Sequence, residues 1–153
     1  TPTPEILGTA LLFAGVMGLF GGLLPAVRAA RLSPLWALVL SGVIWGVWHA
    51  PVLLRGYNYP GHPYLGTLLF IPVCVLLAVP LGWLRMASGS IWPAALAHGA
   101  LNATAPIVLL VAKDYNPLLA GSLVSLTGCV PLLVLSLWLW RSGRLAAAFA
   151  DGG

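Results

Sequence analysis

Long apolar stretches separated by short polar or Pro- and Gly-rich segments dominate the sequence. They occupy residues 6–27, 34–54, 65–84, 90–112 and 118–140. Each is long enough to cross about 30 Å of hydrocarbon at a rise of about 1.5 Å per helical residue. No ten-residue segment alternates apolar and polar residues as a transmembrane strand does. The pattern therefore predicts an all-α, polytopic transmembrane bundle with about five spans, in one domain covering residues 1–153.

Local helix signals agree with these limits. Ser33 followed by Pro34 is an N-cap followed by a proline at the first helical position, and Ser90 can cap the fourth span. Prolines also fall inside spans, where neighbouring helices can satisfy the carbonyls that they free. We expect kinks rather than helix ends at these positions, which are Pro72, Pro80, Pro106 and Pro131.

Composition supports a membrane protein and excludes several other classes. About 60% of the 153 residues are hydrophobic and 7% are charged, and the mean hydropathy is +1.00. Soluble domains carry roughly a quarter charged residues. The net charge is +4, but the basic residues stand singly or in pairs and form no stripe for phosphates. The expected partner is the lipid bilayer, and nucleic acid is not expected.

The basic residues also predict an orientation. Successive spans place the segments that connect them on alternating sides of the membrane. One side then carries Arg28, Arg31, Arg85, Arg141 and Arg144, and the other carries Arg55 and Lys113. Because positive charge is enriched in cytoplasmic loops, the C-terminus is predicted to be cytoplasmic. The sequence begins at Thr1 without a methionine, and we expect it to be truncated at the N-terminus.

Polar residues inside the predicted spans are the candidate functional residues. Trp45 and His49 lie four residues apart in the second span, as do His98 and Asn102 in the fourth. This spacing places each pair on one helical face, and both spans cross in the same direction. Buried polar groups in a membrane are costly, which favours a shared site. The alternative interpretation is packing, with each imidazole bonded to a backbone carbonyl and Asn102 linking helices.

These residues carry a resemblance to a known family. The segment from Trp45 to His49 resembles the Phe/Trp-x-x-x-His signature of the CAAX protease and bacteriocin-processing family, also called the Abi family. The segment from His98 to Asn102 resembles its His-x-x-x-Asn/Asp signature. The resemblance covers about residues 15–105. The family consists of intramembrane endopeptidases, including type II CAAX prenyl proteases.

The resemblance implies both a function and a site. It implies an integral protein of a bacterial or archaeal cell membrane that cleaves membrane-associated or prenylated peptides. The implied catalytic residues are His49, His98 and Asn102, with Trp45 in support. No cofactor is specified, and a divalent metal such as zinc, held by His49 and His98, is the candidate.

One family signature, Glu-Glu-x-x-x-Arg, is absent. Its positions fall on Gly15, Val16 and Phe20. Peptide hydrolysis needs a proton acceptor beside the attacking water, so this loss predicts impaired catalysis. Three hypotheses follow: an active intramembrane metalloprotease, an inactive pseudoprotease acting in membrane binding or bacteriocin immunity, and a small proton- or metal-coupled transporter.

Overall fold

A computed structural model of the chain describes residues 4, 5, 8, 12, 33–104, 107 and 114–151. This part of the chain is helical and contains no strand, which confirms the all-α prediction. In chain order, the helices described over four or more residues are α1 (Pro34–Trp48), α2 (Ala50–Leu53), α3 (Pro63–Ser88), α4 (Trp92–Thr104), α5 (Leu126–Arg141) and α6 (Arg144–Asp151).

Helix α3 is the centre of the described fold, because α1, α2, α4, α5 and α6 all pack against it. It continues through Pro72 and Pro80, so these prolines do not end the helix, as the sequence predicted. It stops at Gly89, whose φ of 62° is the left-handed conformation that glycine adopts most easily. Helix α5 likewise continues through Pro131.

The second predicted span is interrupted. Helix α1 starts at Pro34 as expected, although the Ser33 side chain makes no capping bond. The helix ends at Trp48 and the chain continues as the short α2, so the predicted segment 34–54 is two helices. Pro51 accounts for the break, because it has no N–H to donate to the carbonyl of Val47.

The fifth predicted span is shorter than expected. Residues 118–125 form turns rather than helix, and α5 starts only at Leu126. Ser125 caps it by accepting a hydrogen bond from the Gly128 N–H. The turn segment contains Gly121 at a φ of 99°, a conformation that a helix cannot include. The apolar composition of the segment hid this turn.

The turn segment is anchored to the loop before α3. The Tyr59 hydroxyl, in a fully buried side chain, donates a 2.5 Å hydrogen bond to the carbonyl of Val124. Burial raises the pKa of Tyr59, which keeps the phenol a neutral donor. One buried hydrogen bond therefore ties together the two loops at this end of the bundle.

The described residues give partial support for membrane spans. By length and composition α3 alone can cross a membrane, and α5 with α6 forms a second candidate bent by 62°. The five-span prediction is therefore not confirmed, and its first span, 6–27, lies almost entirely outside the described residues. Large apolar side chains nevertheless face outward, among them Leu68, Leu96 and Val134, each more than 60% exposed. Such outward faces suit lipid better than water.

Helices α1 and α3 approach each other closely through glycines. A Cβ built at Gly46 would lie 2.7 Å from the Ile71 Cα, and one built at Gly42 would meet the backbone around Val75. The two glycines are four residues apart, so they form one flat strip along α1. Small residues at this spacing let transmembrane helix backbones touch. Because α1 carries Trp45 and His49, this contact fixes where the candidate site lies against α3.

We expect Gly46→Ala to destabilise the protein by about 1–3 kcal/mol, since the added methyl must push α1 away from the α3 backbone. The measurement is the thermal unfolding midpoint in detergent micelles. Gly99→Ala is the matched control, because a Cβ at Gly99 on α4 would meet nothing within 4 Å. An unchanged midpoint for Gly46→Ala would contradict the close approach.

Candidate functional site

His49 occupies the break between α1 and α2, where the ordinary helical hydrogen-bond pattern changes. Its backbone N–H donates to the Gly46 carbonyl three residues back, at 3.2 Å, rather than to Trp45 four residues back. The Trp45 carbonyl is therefore available to another donor. The His49 ring nitrogen Nδ1 takes this position, 2.8 Å from the Trp45 oxygen.

This hydrogen bond determines which nitrogen of His49 carries the proton. A carbonyl oxygen can only accept, so Nδ1 must be the donor. In the neutral ring the lone pair then lies on Nε2, which is free to accept a proton or bind a ligand. The packing interpretation of His49 is thus correct for one nitrogen and leaves the other available for chemistry.

The Trp45 ring connects the two candidate histidines. Its centroid lies 6.3 Å from that of His49 and 5.0 Å from that of His98, with interplanar angles of 61° and 71°. Both are edge-to-face contacts, the arrangement that aromatic pairs prefer. The indole of Trp45 is therefore in contact with both imidazoles, one in the helix break after Trp48 and one on α4.

Two further aromatic residues complete the surroundings of His49. Trp48 lies 4.9 Å from the His49 ring in an edge-to-face contact, and Phe70 of α3 lies 5.1 Å from it at 49°. Neither residue was predicted from the sequence to belong to the site. Trp48 precedes His49 directly and could have been included, whereas Phe70 is one apolar residue among many in α3 and gives no signal. Together these rings hold the imidazole in one orientation.

Helix α4 carries both His98 and Asn102, and the ring contact to Trp45 is made by His98. The helix begins at Trp92, whose N–H donates to the Ser90 hydroxyl at 3.3 Å, so Ser90 contacts the helix start from two residues before it. Within the predicted fourth span, 90–112, the structure describes helix α4 and, beyond it, the helical residue Ile107. His98 is half-buried against Trp45. Asn102 lies one turn further and is exposed, and its amide makes no hydrogen bond within the described part of the chain.

The fit of a metal to this cluster can be tested from its donor set. A catalytic zinc ion normally has three protein ligands from His, Cys, Asp or Glu. Within the described residues no three such side chains are close enough to hold a metal ion. His49 and His98 supply two imidazoles, and Asn102 supplies only a neutral amide. The described residues of the site therefore do not fit a zinc ion.

The positions of the missing signature lie outside the described residues. These positions are Gly15, Val16 and Phe20, and the structure does not test how they relate to the histidines. Their chemistry is clear from the sequence alone, because none of the three side chains can accept a proton or pair with a charge.

Comparison with known proteins gives a family assignment. A family model described as type II CAAX prenyl endopeptidase Rce1-like matches residues 9–104, which is more than half of the chain and includes Trp45, His49, His98 and Asn102. No curated protein and no solved structure matches the chain. The match agrees with the resemblance that the two histidine signatures indicate. The chain therefore belongs to the Rce1-like family of type II CAAX prenyl endopeptidases, which is embedded in membranes.

Proposed function

We propose that this CAAX-type protease homologue hydrolyses peptides presented at the membrane, prenylated peptides included, with His49 as the proton acceptor. The observation that supports this role is the hydrogen bond from Nδ1 of His49 to the Trp45 carbonyl. It leaves Nε2 with its lone pair, and the three aromatic contacts hold the ring in place. An oriented imidazole of this kind is the commonest general base in enzymes.

The proposed step conserves atoms and charge. Nε2 of His49 removes a proton from a water molecule as the water oxygen bonds to the carbonyl carbon of the scissile peptide bond. The carbonyl oxygen becomes an oxyanion. The same nitrogen then returns the proton to the leaving amine, and the C–N bond breaks to give a carboxylic acid and an amine. The step as proposed involves the chain, the substrate peptide and one water molecule.

His98 and Asn102 have complementary roles in this proposal. They lie on one face of α4, and His98 is in contact with the Trp45 ring. An imidazole N–H and a carboxamide N–H are both suitable donors to a developing oxyanion. The exposed Asn102 amide makes no hydrogen bond to the described part of the protein. It can therefore turn toward a substrate without breaking an existing bond.

The absent Glu-Glu-x-x-x-Arg signature sets the expected rate. A carboxylate beside the water would share the general-base work, and here Gly15 and Val16 cannot do so. We therefore propose a slow enzyme whose activity depends on imidazoles alone.

Cleavage of a farnesylated peptide ending in a CAAX sequence, by the full chain reconstituted in liposomes, tests this proposal. We expect product release by the unaltered chain and a rate about 10-fold to 1000-fold lower for His98→Ala, because one oxyanion donor is lost. His62→Ala serves as the control, since this histidine occupies the N-cap position of α3 and its side chain makes no capping hydrogen bond there. Equal turnover by His98→Ala and the unaltered chain would contradict the proposed role of α4.

A second candidate function is peptide binding without hydrolysis. Two observations favour it. Within the described residues no three acidic, His or Cys side chains could together hold a metal ion, and Gly15 and Val16 occupy the positions of the two signature glutamates. Such a pseudoprotease would retain the prenylated peptide in a membrane-bound or immunity role. Saturable binding of the farnesylated peptide by liposomes containing the unaltered chain, with no product after long incubation, would favour this function over the first.

A further inference from the structure

A cleft at the opposite end of α3 from the loop that contains Tyr59 has no role in the proposed reaction. It has a volume of about 460 Å³. One wall is the end of α3 together with Gly89, and the other is the first half of α6. The lining residues are Trp83, Met86, Ala87, Ser88, Gly89, Arg144, Ala147 and Ala148. A space of this size is in the range of small-molecule sites.

The shape of the cleft follows from small side chains on facing helices. Arg144, Ala147 and Ala148 are spaced at i, i+3 and i+4, so they share one face of α6. Helix α6 is fixed at this position by the buried side chain of Leu145, which packs in a cluster with Val79 of α3. Alanine side chains above that cluster leave the space open. The cleft is therefore part of a packed structure rather than a gap at a loose end.

The charge of the cleft is positive. Arg144, the first residue of α6, lines the cleft. None of the described residues that line the cleft is acidic. Arg85 lies in the last turn of α3 and Arg141 in the last turn of α5, at the same end of the bundle. The Arg144 guanidinium lies 4.8 Å from the centre of the Trp138 ring, which stacks it on the bundle. A guanidinium in a cation–π contact still carries N–H groups that can donate to a phosphate.

The position of the cleft selects the ligand. It lies where the apolar helix α3 ends, which is the level of lipid headgroups for a membrane-embedded protein. Trp83 lines it, and tryptophan is enriched at that level. A headgroup phosphate matches a guanidinium in charge and geometry, and basic pockets between helices bind anionic headgroups.

We propose that this cleft binds the headgroup of an anionic phospholipid, with Arg144 contacting the phosphate and Trp83 lying against the glycerol and the upper acyl chain. This inference is independent of the proposed protease activity, because its residues lie outside the histidine cluster. Bound lipid would link α6 to the end of α3 and stabilise that end of the bundle.

Thermal unfolding of the full chain in a neutral detergent, with added short-chain phosphatidylglycerol, tests the proposal. We expect a concentration-dependent rise in the unfolding midpoint, because a ligand that binds the folded state stabilises it. Phosphatidylcholine with the same acyl chains, and inorganic phosphate, should each give a smaller rise. An equal rise with either compound would overturn the proposal. With phosphatidylcholine it would show that the cleft does not select an anionic headgroup, and with inorganic phosphate it would show that the lipid is not needed.

Variants locate the effect. Arg144→Gln should weaken the apparent affinity for phosphatidylglycerol about fivefold or more, the effect of losing one arginine near a charged headgroup. Arg55→Gln is the matched control, because Arg55 is an exposed arginine in the loop at the other end of α3. Ala147→Phe, which fills the cleft and keeps Arg144, should weaken the affinity for phosphatidylglycerol at least as much, and it decides the matter if Arg144→Gln does not fold. An unchanged affinity for phosphatidylglycerol in Ala147→Phe, or in folded Arg144→Gln, would overturn the proposal.

Discussion

The His49→Ala chain is expected to cleave a farnesylated peptide at least about a hundredfold more slowly than the unaltered chain, because the proton acceptor of the proposed step is removed. The loss should appear in kcat rather than KM, since Nε2 of His49 acts on the water and not on the prenyl group. The measurement is the initial rate of product formation in liposomes as a function of peptide concentration.

Two controls separate a chemical effect from a structural one. His62→Ala removes an imidazole that lies outside the ring cluster and should leave kcat unchanged. His49→Gln keeps a polar side chain of similar length but no group that can take a proton, and it should be as inactive as His49→Ala. Activity in His49→Gln near that of the unaltered chain would show that His49 holds the helix break and does not act as the base.

The part of the site that could be predicted from sequence is the part encoded by local spacing. Trp45 and His49, and likewise His98, were placed on helices by short-range periodicity, and the structure brings the three rings together. The packing interpretation predicted a backbone carbonyl as the partner of His49, but not which one, because the Trp45 carbonyl becomes available only at the break before Pro51. The contribution of Phe70 depends on how α3 packs against α1, and nothing local to Phe70 encodes that packing.

The fold shows the same division between local and long-range information. The helix starts at Pro34 and near Ser90 were predictable because proline and serine act within one turn. The turns over residues 118–125 were not predicted, because the segment is mostly apolar; Gly121, Ser125 and the bond between Tyr59 and Val124, 65 residues apart, accompany them in the structure. Hydropathy alone cannot distinguish an apolar turn packed against a neighbouring loop from the first turns of a membrane helix.

Restoring the absent signature provides the second large expected effect. The triple variant Gly15→Glu, Val16→Glu and Phe20→Arg should cleave the farnesylated peptide about a hundredfold faster than the unaltered chain. The reason is that a carboxylate can then take the proton that His49 alone accepts in the present chain. The arginine is included because an unpaired carboxylate inside a membrane is costly, whereas a Glu–Arg pair is less so. The measurement is the same liposome cleavage assay, with the amount of inserted protein determined for each variant.

The matched control replaces the glutamates with Gln at positions 15 and 16 and keeps Phe20→Arg. It preserves size and hydrogen bonding but cannot accept a proton, so it should show no gain. A gain in the Glu variant alone, lost again when His98→Ala is added, would indicate that the new carboxylate works with the α4 imidazole. No gain in a triple variant that inserts normally and still binds the peptide would mean that the missing carboxylate does not limit the rate. If the unaltered chain also releases no product, the ring cluster of Trp45, His49 and His98 serves peptide binding, and the pseudoprotease function is the better description of the chain.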